Sequence, residues 1–140
     1  MLIEKLLYRG HVKATGGRDL HALSSDGMLD LELSAAPKAG VSRGSTPEQL
    51  FAACYAASFL RTLQVVATQE GIALSPDVSV EASVGVGPIS ERLGIEVELK
   101  ISLPGVPRVE TDLLVDKSHA LCPYSNAIHG NVAERLVIVS

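Results

Sequence analysis

Thr46-Pro47-Glu48-Gln49-Leu50-Phe51-Ala52-Ala53-Cys54-Tyr55-Ala56-Ala57-Ser58-Phe59-Leu60 opens with a helix start and continues as an almost unbroken apolar run. Thr46 suits an N-cap, Pro47 suits the first helical position, and Gln49, three residues after the cap, completes a capping box. The pattern predicts a helix from Thr46 to about Ala67, stopped near Gly71. Between Leu50 and Leu60 it is apolar on nearly every face. A helix of that kind sits in the centre of a fold, since a surface helix keeps one polar side.

The flanking segments read as strands. Leu2 to Val12, Leu20 to Leu23 and Leu29 to Leu33 precede the helix, separated by the turns at Thr15-Gly16-Gly17-Arg18-Asp19 and Ser24-Ser25-Asp26-Gly27, and Ser34 to Ser45 reads as a surface loop. Val78 to Val84 and Ile95 to Ile101 alternate apolar and polar residues and form a hairpin around a loop from Gly87 to Gly94. Val109, Leu113, Leu114, Lys117 and Leu121 recur at helical spacing and predict a second helix over 108–121. Pro123 breaks it, Cys122 to Asn126 makes a short helical turn, and Val132 to Val139 closes the chain as a strand. The order β-β-β-α-β-β-α-β predicts an α+β fold with antiparallel sheets around a buried central helix, in a single domain spanning 1–140.

Composition excludes several classes. Among 140 residues, 12 are basic and 16 acidic, so no basic surface points to nucleic acid. The longest nearly uncharged stretch, Leu50 to Leu60, is short for a bilayer, and Met1 to Gly10 lacks the apolar run and cleavage site of a signal peptide. The expectation is a soluble cytoplasmic protein with no membrane and no nucleic-acid partner. Two cysteines in such a chain are not a disulfide scaffold.

Taken singly, the candidate functional residues have plain structural readings. Gly85-Val86-Gly87 lacks the third glycine of a dinucleotide fingerprint. His119 and Cys122 are three apart, a spacing that suits a shared metal, but no second pair completes a site, so no metal is expected. Arg18 sits in a glycine turn, where an arginine is usually solvated. Glu48 in the first helical turn complements the helix dipole. Cys54 and Cys122, however, lie in a central helix and in a Cys-Pro-Tyr-Ser-Asn segment, an arrangement that invites redox chemistry in a reducing cytosol.

The segments Ala14 to Asp19, Ser24 to Gly27, Pro47 to Ala53 and Cys122 to Ala127 together resemble the organic hydroperoxide resistance (Ohr) branch of the Ohr/OsmC family, over essentially the whole chain. The resemblance implies an intertwined homodimer of Ohr/OsmC-like fold with two sites at its interface. It implies a cysteine-based peroxidase that reduces alkyl or fatty-acid hydroperoxides to alcohols, needs no cofactor, and is recharged by a dithiol such as a lipoylated protein. By the same resemblance Arg18 holds the reactive thiolate and the peroxide, Glu48 orients Arg18, and Cys122 is the resolving thiol. The scheme is physically coherent: a guanidinium stabilises a thiolate, and a carboxylate offsets the burial of the guanidinium.

One position departs from that pattern. The family's peroxide-reacting cysteine lies seven residues after the phenylalanine of Leu50-Phe51, which is Ser58 in this chain, and the glycine usual one turn earlier is Cys54. A serine hydroxyl stays protonated near neutral pH and does not attack an O–O bond as a thiolate does. Three readings stay open: a cysteine-to-serine change made to trap the site, a thiol relocated to Cys54, or a lost peroxidase activity with a retained pocket that binds lipid-like or hydroperoxide ligands. Relocation to Cys54 shifts the sulfur roughly 6 Å along the helix axis.

Overall fold

A computed structural model describes residues 2–16, 20–34 and 44–139 of the chain. The Gly17-Arg18-Asp19 part of the first turn lies outside the described residues, as does 35–43 of the expected loop. The chain forms two compact units, Met1–Pro47 and Glu48–Ser140.

The first unit is a three-stranded antiparallel sheet of β1 (Val12–Thr15), β2 (Leu20–Ser24) and β3 (Asp30–Leu33), in that order. The turn between β2 and β3 is built by side chains. Asp26 Oδ1 accepts from the Ser24 hydroxyl at 2.6 Å and from the Met28 amide at 3.0 Å, while Ser24 Oγ accepts from the Leu29 amide at 2.9 Å. These two donors, Ser24 first, hold the exposed Asp26 carboxyl below its ordinary value. The strand expected over Leu2 to Val12 begins only at Val12. Alternation there finds no neighbouring strand: β2 pairs with β1 over residues 12–15 alone, and Leu2 and Tyr8 are left 97% and 82% exposed.

The second unit runs α1 (Pro47–Glu70), β4 (Ser79–Ile89), β5 (Arg92–Ser102), α2 (Arg108–Leu121), α3 (Pro123–Ile128) and β6 (Ala133–Val139). Helix α1 starts at Pro47, as the capping pattern predicts. It ends at Gly71 (φ 69°), where the Ile72 amide reaches back to the Ala67 carbonyl at 2.9 Å and the Gly71 amide to Thr68 at 3.2 Å. That is the Schellman ending, which glycine adopts without a Cβ clash. At 24 residues α1 is the one helix among the described residues long and apolar enough to cross a membrane, longer than the 50–60 stretch weighed from sequence. Its stripe Tyr55, Phe59, Leu63 and Val66, at helical spacing, is instead buried against the sheet.

Alternation positions the sheet. In β5, Val97, Leu99 and Ile101 point into the core and Glu96 and Lys100 point out. The expected loop from Gly87 to Gly94 is part of the ladder: β4 and β5 pair without interruption to Ile89↔Arg92, and a two-residue turn at Ser90 (φ 53°) and Glu91 connects them. The sheet order is β4-β5-β6. Antiparallel pairing holds for β4 with β5, but β6 lies parallel to β5, from Glu96↔Ala133 to Ser102↔Val139. The correction follows from the connection. Residues 103–132 carry two helices across one face, and a crossover of that length returns the chain in the same direction.

Helix α2 occupies its expected residues but turns a different face inward. Thr111, Leu114, Val115 and Ser118 are buried, whereas Val109 is 82% and Leu121 57% exposed. Two neighbours on that inner face test the packing in opposite directions. Leu114 is fully buried in the apolar cluster, so Leu114→Ala is expected to lower stability by about 2–5 kcal/mol. Ser118 is equally buried, and its Oγ has no hydrogen-bond partner among the described residues. Removing an unpaired buried hydroxyl relieves a penalty of about 1–3 kcal/mol. Urea melts should therefore place Ser118→Ala at or above the parent; a clear loss would show that the hydroxyl has a partner after all.

Candidate active site

Two elements of the second unit converge. Helix α1 presents Glu48, Cys54, Tyr55 and Ser58, and the α2–α3 corner presents Cys122, Tyr124 and Ser125. The corner is dictated by one dipeptide. A residue preceding proline is pushed out of the helical region into extended backbone, and Cys122 sits at φ −64°, ψ 126°. It thus ends α2, with its amide bonded to the Ser118 carbonyl at 2.8 Å, and caps α3, whose first position is Pro123. Its carbonyl accepts from the Asn126 amide at 3.0 Å. Pinned from both sides, the Cys122 side chain is fully buried.

The thiol points at α1. Cys122 Sγ lies 3.8 Å from Ser58 Oγ. The structure therefore brings together the two positions that the resemblance pairs, residue 58 and residue 122. Cys54, one turn earlier, faces a different neighbour: it is half-buried beside Tyr124. The Cys54 thiol first, and then burial and Cys122, hold the Tyr124 phenol above its ordinary value. Glu48 is in the first turn of α1, and its Oε2 is buried without a hydrogen-bond partner among the described residues. Arg18 lies outside the described residues.

Tyr55, Ser125, Glu134 and His119 are residues of this region that the sequence did not single out for this role. The Tyr55 hydroxyl donates to Glu134 Oε1 and shares a 2.6 Å hydrogen bond with Ser125 Oγ. Glu134 Oε2 meets His119 Nε2 at 2.9 Å. Burial first, and then the Glu134 hydrogen bond, push the Tyr55 phenol well above its ordinary value, so it is neutral and donates at any physiological pH. The Tyr55 ring also meets Phe59 edge-on at 6.4 Å and Tyr124 at 6.3 Å. The sequence signal was available only in part. His119 and Cys122 stood out by spacing, but the partner is Glu134, on a strand that pairing with β5 brings alongside. Among the described residues no group of three or more His, Cys, Asp or Glu side chains is placed to hold a metal ion.

The 3.8 Å separation has a direct consequence. With sulfur at both positions, a small side-chain rotation brings the atoms to the roughly 2.05 Å of a disulfide bond. Ser58→Cys is expected to close an intramolecular bridge to Cys122 under mild oxidation, read as the loss of two free thiols and a mass about 2 Da lower. A bridge to Cys54 instead, found by peptide mapping, would contradict the geometry.

The OsmC-like protein family matches residues 40–135. The organic hydroperoxide resistance protein of Xanthomonas axonopodis pv. citri is 47% identical over 137 residues, covering 96% of each chain. The organic hydroperoxide resistance protein OhrA of Bacillus subtilis is 36% identical over 129 residues, 90% of this chain and 92% of that one. The crystal structure of an organic hydroperoxide resistance protein from Legionella pneumophila superposes with a TM-score of 0.90 at 39% identity, covering 97% of this chain and all of the other. With a family match spanning more than half its length and a fold shared with a solved relative, the chain belongs to the OsmC-like protein family.

Proposed function

We propose that the chain is an organic hydroperoxide peroxidase scaffold of the thiol-dependent kind, with residue 58 as the peroxide-reacting position and Cys122 as the resolving thiol. The observation that carries this reading is the 3.8 Å approach of Ser58 Oγ to Cys122 Sγ. The names of relatives at 47% and 36% identity support the substrate class.

In the reaction so read, a thiolate at residue 58 attacks one peroxide oxygen. The O–O bond breaks, the alkoxide takes a proton and leaves as alcohol, and the sulfur becomes a sulfenic acid. The Cys122 sulfur then attacks that sulfenic sulfur, an S–S bond forms, and the departing hydroxide takes a proton to become water. An external dithiol, of the lipoylated-protein type, reduces the bridge. Arg18 would stabilise the thiolate and Glu48 would hold Arg18. The buried Oε2 of Glu48, without a hydrogen-bond partner among the described residues, supports a cationic partner, because a carboxylate left alone away from water is costly.

As the chain stands, Ser58 supplies no ionisable sulfur, so this protein is a slow catalyst or a binder of hydroperoxide-like ligands. Cys54 does not replace it in this scheme: it faces Tyr124, whereas Cys122 faces Ser58. A homodimer, acting in the cytoplasm as one domain over 1–140, completes the proposal. Its support is the run of exposed large apolar side chains Leu2, Ile3, Leu7 and Tyr8, a surface that monomeric proteins seldom leave open.

Consumption of cumene hydroperoxide with a dithiol should be slow in the chain as it stands, rise by at least about 100-fold in Ser58→Cys, and change little in Cys54→Ala. Fast turnover in the unmodified chain that disappears in Cys54→Ala would place the reactive thiol at Cys54. No turnover in Ser58→Cys would leave ligand binding as the function. Sedimentation at micromolar concentration is expected to give a dimer, and a stable monomer would remove the interface from the proposal.

A further inference from the structure

Glu134 has no part in the peroxidase chemistry just described, yet it is the hub of a polar chain running through the second unit. Its side chain is only 10% exposed. One carboxylate oxygen accepts from the Tyr55 hydroxyl on α1, and the other meets His119 on α2, whose side chain is 31% exposed. Tyr55 passes the connection to Ser125 on α3 at 2.6 Å. The network thus ties β6 to α1, α2 and α3 at once. Cys122 is the joint between the last two of these, three residues from His119 and three from Ser125.

We propose that Glu134 is a positioning residue for the Cys122 thiol: through Tyr55 and Ser125 on one side and His119 on the other, it fixes the α2–α3 corner so that Sγ faces residue 58. This deepens the proposed function and rests on its assignment of Cys122 as the resolving thiol. The physical case is that apolar packing alone fixes the corner loosely. Leu121 and Tyr124, the residues flanking Cys122-Pro123, are 57% and 38% exposed, so their packing holds the corner only in part. Directional hydrogen bonds between buried partners supply the missing constraint, and leaving either partner unpaired is expensive. Disulfide closure depends on sulfur placement at the ångström level. The network therefore acts on the second step, closure, and not on the first, where the peroxide meets residue 58.

The test uses the full chain carrying Ser58→Cys, alone and with Glu134→Ala, Glu134→Gln or Tyr55→Phe. Diamide takes one hydrogen from each of two neighbouring thiols and is itself reduced to the hydrazine, so closure is measured with no peroxide present. Glu134→Ala and Tyr55→Phe should each slow closure at least about 10-fold, since small misplacements of reacting atoms have effects of that order. Glu134→Gln keeps an acceptor for Tyr55 and an amide donor for His119 and should restore closure to within about threefold of the parent. With cumene hydroperoxide, the sulfenic acid at residue 58 should form as fast in Glu134→Ala as in the parent. It should then accumulate, captured as a dimedone adduct.

Closure within twofold of the parent in both Glu134→Ala and Tyr55→Phe overturns the proposal. So does an equal slowing of sulfenic acid formation, which indicates general loosening. Tyr55→Phe, with Glu134 in place, decides the matter if Glu134→Ala does not fold. A parent that closes with diamide but never consumes hydroperoxide refutes the peroxidase reading while the diamide series still decides the role of Glu134. A parent that does not close at all refutes both.

Discussion

Proline at residue 123 denies Cys122 a helical conformation, and most of the site's geometry descends from that steric rule. The extended backbone at Cys122 stops α2 and redirects the chain into α3. The amide and carbonyl of the same residue then serve as end groups for the two helices. A cysteine in the middle of a helix would sweep its sulfur along one face of the cylinder. At this corner it is held at a fixed point, fully buried, and directed at the fourth turn of an opposing helix that is itself anchored by Tyr55, Phe59 and Leu63. The 3.8 Å approach to Ser58 is the outcome of two rigid supports meeting, with no flexible loop between them.

What was legible in the sequence follows local rules. The start of α1 at Pro47, its Schellman end at Gly71, the alternation of β5 and the Cys-Pro break are all set by residues within a few positions of one another. The OsmC-like motifs likewise pointed to residues 58 and 122 before any coordinates. What was not legible depends on partners far away in the chain. The parallel placement of β6 is fixed by the crossover, and the inward face of α2 by what lies beneath it, so Thr111 and Ser118 are buried where Val109 and Leu121 are not. Leu2 to His11 carries strand-like residues, but a strand exists only where another pairs with it. Glu134 read as an ordinary charged residue in a closing strand, because nothing local reveals that Tyr55 and His119 converge on it.

The contrast between Ser58 and Cys54 shows how narrow the chemical requirement is. Both side chains lie on the same helix one turn apart, and both are partly buried. One faces a sulfur and the other a phenol. A hydroxyl and a thiol differ little in shape, yet only the thiol ionises readily enough to become a nucleophile towards an O–O bond. In the proposed scheme, a change of one atom at residue 58 separates scaffold from catalyst.

The parallel partnership of β5 and β6 also bears on how the molecule is made. The crossover that carries Cys122 is closed only when β6 docks along β5, and the hydrogen bond from Tyr55 to Glu134 joins residues 79 positions apart. Contacts of such separation form late, after the entropy of closing the intervening chain has been overcome. On a ribosome, helix α1 emerges long before the strand that completes its surroundings. Until β6 docks, the Tyr55–Glu134 hydrogen bond cannot form, and the Cys122 corner lacks that support. The hydrogen-bonded arrangement around the Cys122 corner is thus a late product of folding, delayed until β6 has docked along β5.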